Sequence, residues 1–272
     1  MGLAKLSAFM LVAFSLGCSD VSLSPSVAAS LEFTYLPAPA IVIGDSLRDV
    51  DGIAAPARAV VRNQQGDILE AAPVRFVYAD ANRDTALSVD SLTGYIVSLK
   101  PLSASGTTAR IAARVGVNLQ AIRTVLVTIR PDSVEHTGSN SIDTLRTTRP
   151  DTGSSAASAN SSGALTVTVR HVEGTASTLV PNWLVKYELV QPANPTNDST
   201  FNVFLVNDLR RVSNIDTTDG SGAASRYVRV RASKFPAGAA LDSAIVRVKV
   251  SYRGKPVSGS PIRLVVPIIR KP

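Results

Sequence analysis

The chain has a single cysteine, Cys18, among its 272 residues. That excludes an internal disulfide and any zinc site built from several thiolates. Its two histidines, His136 and His171, stand in dissimilar contexts, which leaves little material for a general base. No GxSxG or HExxH pattern occurs, and no Ser/His/Asp set suggests itself. Aromatic residues make up only 5%, with one tryptophan, Trp183, so a ring-lined sugar platform has little to be built from. No sustained helical period appears either. The formal net charge of +7 and pI of 9.8 invite a nucleic-acid reading. The cations do not cluster, however: Arg229, Arg231, Arg247, Lys249 and Arg263 fall at alternate positions of apolar runs, the usual way to keep strands soluble. No nucleic-acid partner, no cofactor and no enzymatic activity are expected.

What is present is alternation. Val246, Val248, Val250 and Tyr252 alternate with Arg247, Lys249, Ser251 and Arg253; Gly254, Pro256 and Gly259 interrupt; Ile262, Leu264, Val266 and Ile268 then repeat the pattern. Period two with a Gly/Pro break predicts a β-hairpin with one face closing a core. The same grammar recurs in Leu31–Leu36, around Ala57–Val61, in Val74–Tyr78, from Ala86 to Ser98, in Arg110–Val115 and in Thr124–Arg130. It returns in Leu165–His171, Trp183–Leu189, Phe201–Val206 and Val228–Arg231. Short strands with turn signals about every ten residues predict an all-β fold of antiparallel β-sandwiches.

Between the two sets, 132–163 is mainly Ser, Thr, Asn, Asp, Gly and Ala, including SSAASANSSG at 154–163. Such a stretch cannot bury enough surface to fold alone. The expected organisation is a first sandwich over 30–131, a connection over 132–163 and a second sandwich over 164–272. Ile142 and Leu145 are candidates for an early edge strand of the second. The halves also look like copies: Leu47–Gly52 pairs with Val169–Gly174, and Val89–Gly94 with Ile215–Gly220.

Residues 1–17 carry one basic residue, Lys5, before an apolar run from Leu6 to Leu16. The run is shorter than the roughly 20 residues needed to cross a bilayer and fits the core of a secretory signal. It ends Ser15-Leu16-Gly17-Cys18-Ser19, which resembles the bacterial lipoprotein processing site, although Ser15 stands where an aliphatic residue is usual. The resemblance implies a lipidated Cys18 after removal of 1–17, a tether over 18–29, and a membrane partner engaged through the lipid. Ser19 after the cysteine implies the outer membrane. The competing reading is an ordinary signal peptide.

Candidate ligand sets are few. Asp80–Asp84 has the opening spacing of an EF-hand loop, but Thr85 and Ser91 occupy the positions that need Gly and Glu. Asp45, Asp49 and Asp51, with the pair Asp216 and Asp219, are weak calcium candidates; Asx turns explain them more simply. His171 and Trp183 fall on inward parities, which predicts packing for both.

The runs VVRNQQGDILEAAPVRF (60–76), VDSLTG (89–94), ARIAARVG (109–116) and VLVTI (125–129), with DTTDGSGAAS (216–225) and VRVKVSYRGKPVSGSP (246–261), resemble bacterial immunoglobulin-like domains of the Big/invasin–intimin type. The resemblance implies two tandem immunoglobulin-like sandwiches without an inter-sheet disulfide. It implies adhesion, structural spacing or protein binding at the cell envelope, and carries over no catalytic residue. A glycan-binding accessory module is the alternative.

Overall fold

The computed structural model describes residues 27–80, 86–99, 106–138, 142–147, 160–231 and 243–270. Cys18, the signal segment, most of the tether and 148–159 of the connection lie outside the described residues, as do Asp84 and Thr85. Among the described residues there is no helix.

The N-terminal half contains β1 (Ser30–Tyr35), β2 (Ala40–Val42), β3 (Arg58–Arg62), β4 (Arg75–Tyr78), β5 (Leu87–Val89), β6 (Ile96–Ser98), β7 (Thr108–Val115) and β8 (Leu119–Thr128). One sheet runs β2-β8-β7-β4, with β2 parallel to β8 and the other pairs antiparallel. Facing it are the β1-β3 and β5-β6 ladders. Phe33, Ile41, Leu47, Phe76, Leu87, Ile96, Ile111, Val125 and Val127 fill the space between. Alternation places them there: Ala109, Ile111 and Ala113 point inward from β7 while Thr108, Arg110 and Arg114 are exposed. Phe33 and Phe76 meet edge to face at 5.8 Å, a favoured aromatic geometry.

The C-terminal half contains β9 (Ser133–Glu135), β10 (Leu145–Thr147), β11 (Leu165–Glu173), β12 (Ala176–Leu179), β13 (Leu184–Gln191), β14 (Val203–Val206), β15 (Ile215–Thr217), β16 (Ala223–Val230), β17 (Ser243–Lys249), β18 (Ser251–Tyr252), β19 (Lys255–Pro256) and β20 (Ile262–Arg270). One sheet runs β10-β20-β17-β13-β15; the other runs β12-β11-β16-β14, with β9 added to β11. The β17–β20 hairpin forms as its alternation requires, with Val246 opposite Leu264 and Val248 opposite Ile262. Val246, Val248, Val250, Leu264 and Val266 are fully buried. Trp183 is buried and Val185, Tyr187 and Leu189 lie beneath the same core.

Both halves share a sheet order: a short strand parallel to the last strand, then the last hairpin, then an earlier strand. A sheet of that order faced by a second layer of strands, twice over, makes immunoglobulin-like sandwiches in tandem. Both β9 and β10 lie inside the 132–163 stretch that the polar composition marks as a connection, Leu145 among them, and both pair with strands of the second core.

The internal repeat has a different register from the one its motifs suggest. Gly94 and Gly222 are the equivalent glycines: Ala57 N–H donates to Gly94 O at 2.9 Å, and Val169 N–H donates to Gly222 O at 2.8 Å. Both glycines have positive φ, and a Cβ on either would lie under 3 Å from the carbonyl oxygen of that same Ala57 or Val169. Only glycine fits where two backbones approach this closely. The motif match of Gly94 to Gly220 is therefore two residues short. Ala57 corresponds to Val169, so Gly52 and Gly174 lie on opposite sides of the equivalent strand and are not partners.

Candidate functional site

The most elaborate polar constellation lies where the two cores meet. The loop after β2 brings Asp45 into the junction, 5% exposed. Arg48 clasps its carboxylate with Nε at 2.9 Å and Nη2 at 2.7 Å, and the Ser46 N–H donates at 2.8 Å. From the other half, Arg253 reaches the same carboxylate through Nε at 3.1 Å. Burial alone would push the Asp45 pKa up. The hydrogen bonds from Arg48, Arg253 and Ser46 outweigh it and hold the carboxyl well below the usual carboxylate range.

Tyr252 lies beside both guanidiniums, with Arg48 6.0 Å and Arg253 5.4 Å from its ring centroid. It also meets Trp183 edge to face at 6.1 Å. Burial, followed by the Asp45 carboxylate, raises the Tyr252 pKa. The turn between β18 and β19 presents Gly254, which lies against Gly52; a Cβ on Gly52 would come 2.8 Å from Gly254 N and 3.1 Å from Arg253 N. Lys186 adds a second bridge, donating to Asp51 at 2.9 Å. The apolar layers interlock as well: Val42 belongs to the C-terminal core cluster, and Leu184 packs on the N-terminal one. Beside these contacts is a cleft of about 220 Å³ lined by Ile43, Leu126 and Ile129 from one half and Leu179 and Pro181 from the other.

The calcium candidates are placed as follows. Asp49 accepts from the N–H groups of Asp51 and Ile53, an Asx turn. Asp51 pairs with Lys186. Asp219 accepts from Ser221 N–H, Ser221 Oγ and Ala223 N–H. Asp216 accepts from Ser225 N–H and pairs with Arg226 at 2.8 Å. Among the described residues no three His, Cys, Asp or Glu side chains converge on a point that could hold a metal ion. Of the sequence candidates, the junction takes Asp45 and Asp51, bound to cations of the protein itself.

Asp216 and Asp219 border an open polar cleft of about 360 Å³ with Thr166, Thr217 and Ser225. Behind it lies Arg226, 6% exposed, which sits on the inward parity of β16 beside Ala224 and Val228. It spans the two sheets, donating to the Ile215 carbonyl and to Ser213 Oγ. Nearby, the fully buried Tyr187 donates to Ala224 O at 2.8 Å, and burial raises its pKa far above the ordinary phenol value. His171 is half-buried with Nδ1 2.5 Å from Asp132 Oδ2.

No signal in the sequence joins Asp45 to Arg253, 208 residues away. Arg226 could have been found, because a charge at an inward position between Ala224 and Val228 is an anomaly on the alternating pattern.

No protein-family model matches the chain, and no curated protein matches it. Among solved structures it is similar to the D00-D0 domain of intimin at 14% identity and TM-score 0.28, over 88% of this chain and 98% of that one. It is similar to the Yersinia pseudotuberculosis adhesin InvE at 14% identity and TM-score 0.31, over 77% of this chain and 52% of that one. A third is human protocadherin-24 EC1-2, at 14% identity and TM-score 0.27, over 90% and 100%. Scores this low leave the description of tandem sandwiches resting on the chain's own sheets.

Proposed function

We propose that the chain is a non-enzymatic cell-envelope protein in which two immunoglobulin-like sandwiches form an adhesion, structural or protein-binding module. In this reading the lipid on Cys18 holds the protein at the outer membrane, the tether gives reach, and the sandwiches carry a binding surface away from the bilayer. The observation that supports it is the junction. A spacer transmits position or force only if its units do not swing freely, and here the buried Asp45 is gripped from both halves while Gly52 and Gly254 bring the backbones together. Fixed side-chain cations do at this junction what a bound metal could do elsewhere.

The test of anchoring is fractionation. Cys18→Ala expressed with its signal is expected to move the protein from the membrane fraction to the soluble one. Retention in the membrane fraction, with normal processing, would contradict it.

A second reading, a glycan-binding accessory module, is favoured by one feature. The polar cleft offers the hydroxyls of Thr166, Thr217 and Ser225 beside carboxylates. Burial of Trp183 removes the only indole from any stacking role. Reproducible binding on a glycan array, abolished by Asp216→Ala, would favour this reading over the first.

A further inference from the structure

The outer face of the N-terminal β4-β7-β8 sheet carries a pair of cations that no described residue compensates. Register sets Arg75 directly opposite Arg114, and Arg114 opposite Gln120. Both arginines are exposed, and neither has an ion pair or hydrogen bond among the described residues. Like charges facing one another across a ladder are unfavourable. The next row on the same face is apolar: Val77, Ala112 and Ile122 stand side by side, Ala112 fully buried, Val77 half-buried and only Ile122 open to solvent. Ile122 is 39% exposed. The row after that is already neutralised, Arg110 being paired with Asp80 at 2.5 Å.

The corresponding sheet of the C-terminal half shows what compensation looks like. There Arg247 lies between Glu188 and Arg263. Glu188 holds Arg247 and Lys249, each at 2.8 Å. Lys186, on the same face, has Asp51. The earlier strand contributes a glutamate in one half and Arg75 in the other. Among the described residues the same architecture is thus internally neutralised in one copy and left open in the other.

We propose that the outer face of β4-β7-β8 docks an acidic protein segment, which sets a carboxylate between Arg75 and Arg114 and an aliphatic side chain against Ile122 at the exposed end of the Val77–Ala112–Ile122 row. The inference deepens the protein-binding reading and rests on it. Two arginines set opposite one another across a ladder suit a carboxylate, which can take charge-assisted hydrogen bonds from both. The aliphatic row, without any ring, suits a peptide side chain better than a sugar, which stacks on aromatic faces. A pair of cations on one flat face is also too few for a lipid surface, where attraction accumulates over clusters of basic residues.

The probe is a labelled peptide of alternating glutamate and valine, titrated by fluorescence anisotropy against the full chain. Dextran sulfate and phosphatidylglycerol/phosphatidylcholine vesicles serve as comparators. Arg75→Glu with Arg114→Glu is expected to weaken peptide binding by about tenfold or more. Arg146→Glu with Arg263→Glu, an equal change in charge on other exposed strands, is expected to leave it within about twofold. The Arg75→Gln with Arg114→Gln pair, checked for an unchanged melting curve, is expected to show the same loss more weakly should the glutamates impair folding. Equal loss in both glutamate pairs would reduce the effect to bulk charge and overturn the proposal. Binding of the polysaccharide or the vesicles in preference to the peptide would overturn it too. Neither result bears on where Cys18 places the chain, which the fractionation decides separately.

Discussion

Gly52→Ala isolates the contact between the two halves. Gly52 has φ +78° and Gly44, in the same loop region, has φ +72°. An alanine at either position meets the same left-handed backbone cost, about 1–2 kcal/mol. The surroundings differ. A Cβ at Gly44 has nothing within 4 Å, whereas at Gly52 it would sit 2.8, 3.1 and 3.3 Å from backbone atoms of Gly254, Arg253 and Tyr252. Those atoms belong to the turn of the opposite half and cannot rotate away. The turn must retreat by about 0.6 Å or more to restore ordinary contact, which lengthens the Arg253–Asp45 bond already at 3.1 Å. Overpacking of this kind adds about 1–3 kcal/mol. The expected outcome in urea unfolding is a loss of about 1–2 kcal/mol for Gly44→Ala and about 2–5 kcal/mol for Gly52→Ala. Small-angle scattering should show a changed angle between the halves in the second variant only. Equal losses, with superimposable scattering, would refute the claim that the backbones are in contact.

Two further outcomes follow from the same geometry. Because the folded pKa of Asp45 is depressed, its stabilising contribution is complete above the unfolded value of about 3.9 and is lost as the pH falls through the lower folded value. The Asp45 contribution should therefore be as large at about pH 5 as at pH 7 and fade below about pH 4. Asp45→Asn should destabilise the chain fully at neutral pH and by progressively less below about pH 4, in urea unfolding followed by Trp183 fluorescence. Tyr187→Phe removes the inter-sheet hydrogen bond to Ala224 O without changing the core's shape; a loss of about 1–2 kcal/mol in thermal unfolding is expected, and no loss would mean that the bond is not formed in solution.

The sheets were legible because one physical rule, period two, assigns both the strand and its inner face. Val246, Val248, Leu264 and Val266 needed no tertiary information to be placed inside. The same rule placed Trp183 and Val185 in the core. Polar composition hid β9, a three-residue strand held in place by β11 with too few apolar positions to show a period. For β10, Leu145 was the one signal, and it marked the edge strand that pairs with β20. The repeat register slipped for a different reason. In Gly220-Ser221-Gly222 either glycine satisfies a turn motif, and only the approach of the Val169 carbonyl selects Gly222. The junction was out of reach of any local pattern. Asp45 reads as one more loop aspartate until Arg253 arrives from the far end of the chain. The Arg75–Arg114 pair was likewise invisible as a pair, since alternation marks both residues as outward but does not give the cross-strand register.

The measurement that bears most directly on the locked junction is an electron–electron distance distribution between spin labels at Val117→Cys and Leu209→Cys in a Cys18→Ser background. Both sites are exposed, at 99% and 67%, one in each half. A locked junction gives a single narrow peak that broadens when Asp45→Asn and Arg253→Gln are introduced together. A broad distribution in the parent chain, unchanged by those substitutions, would contradict it.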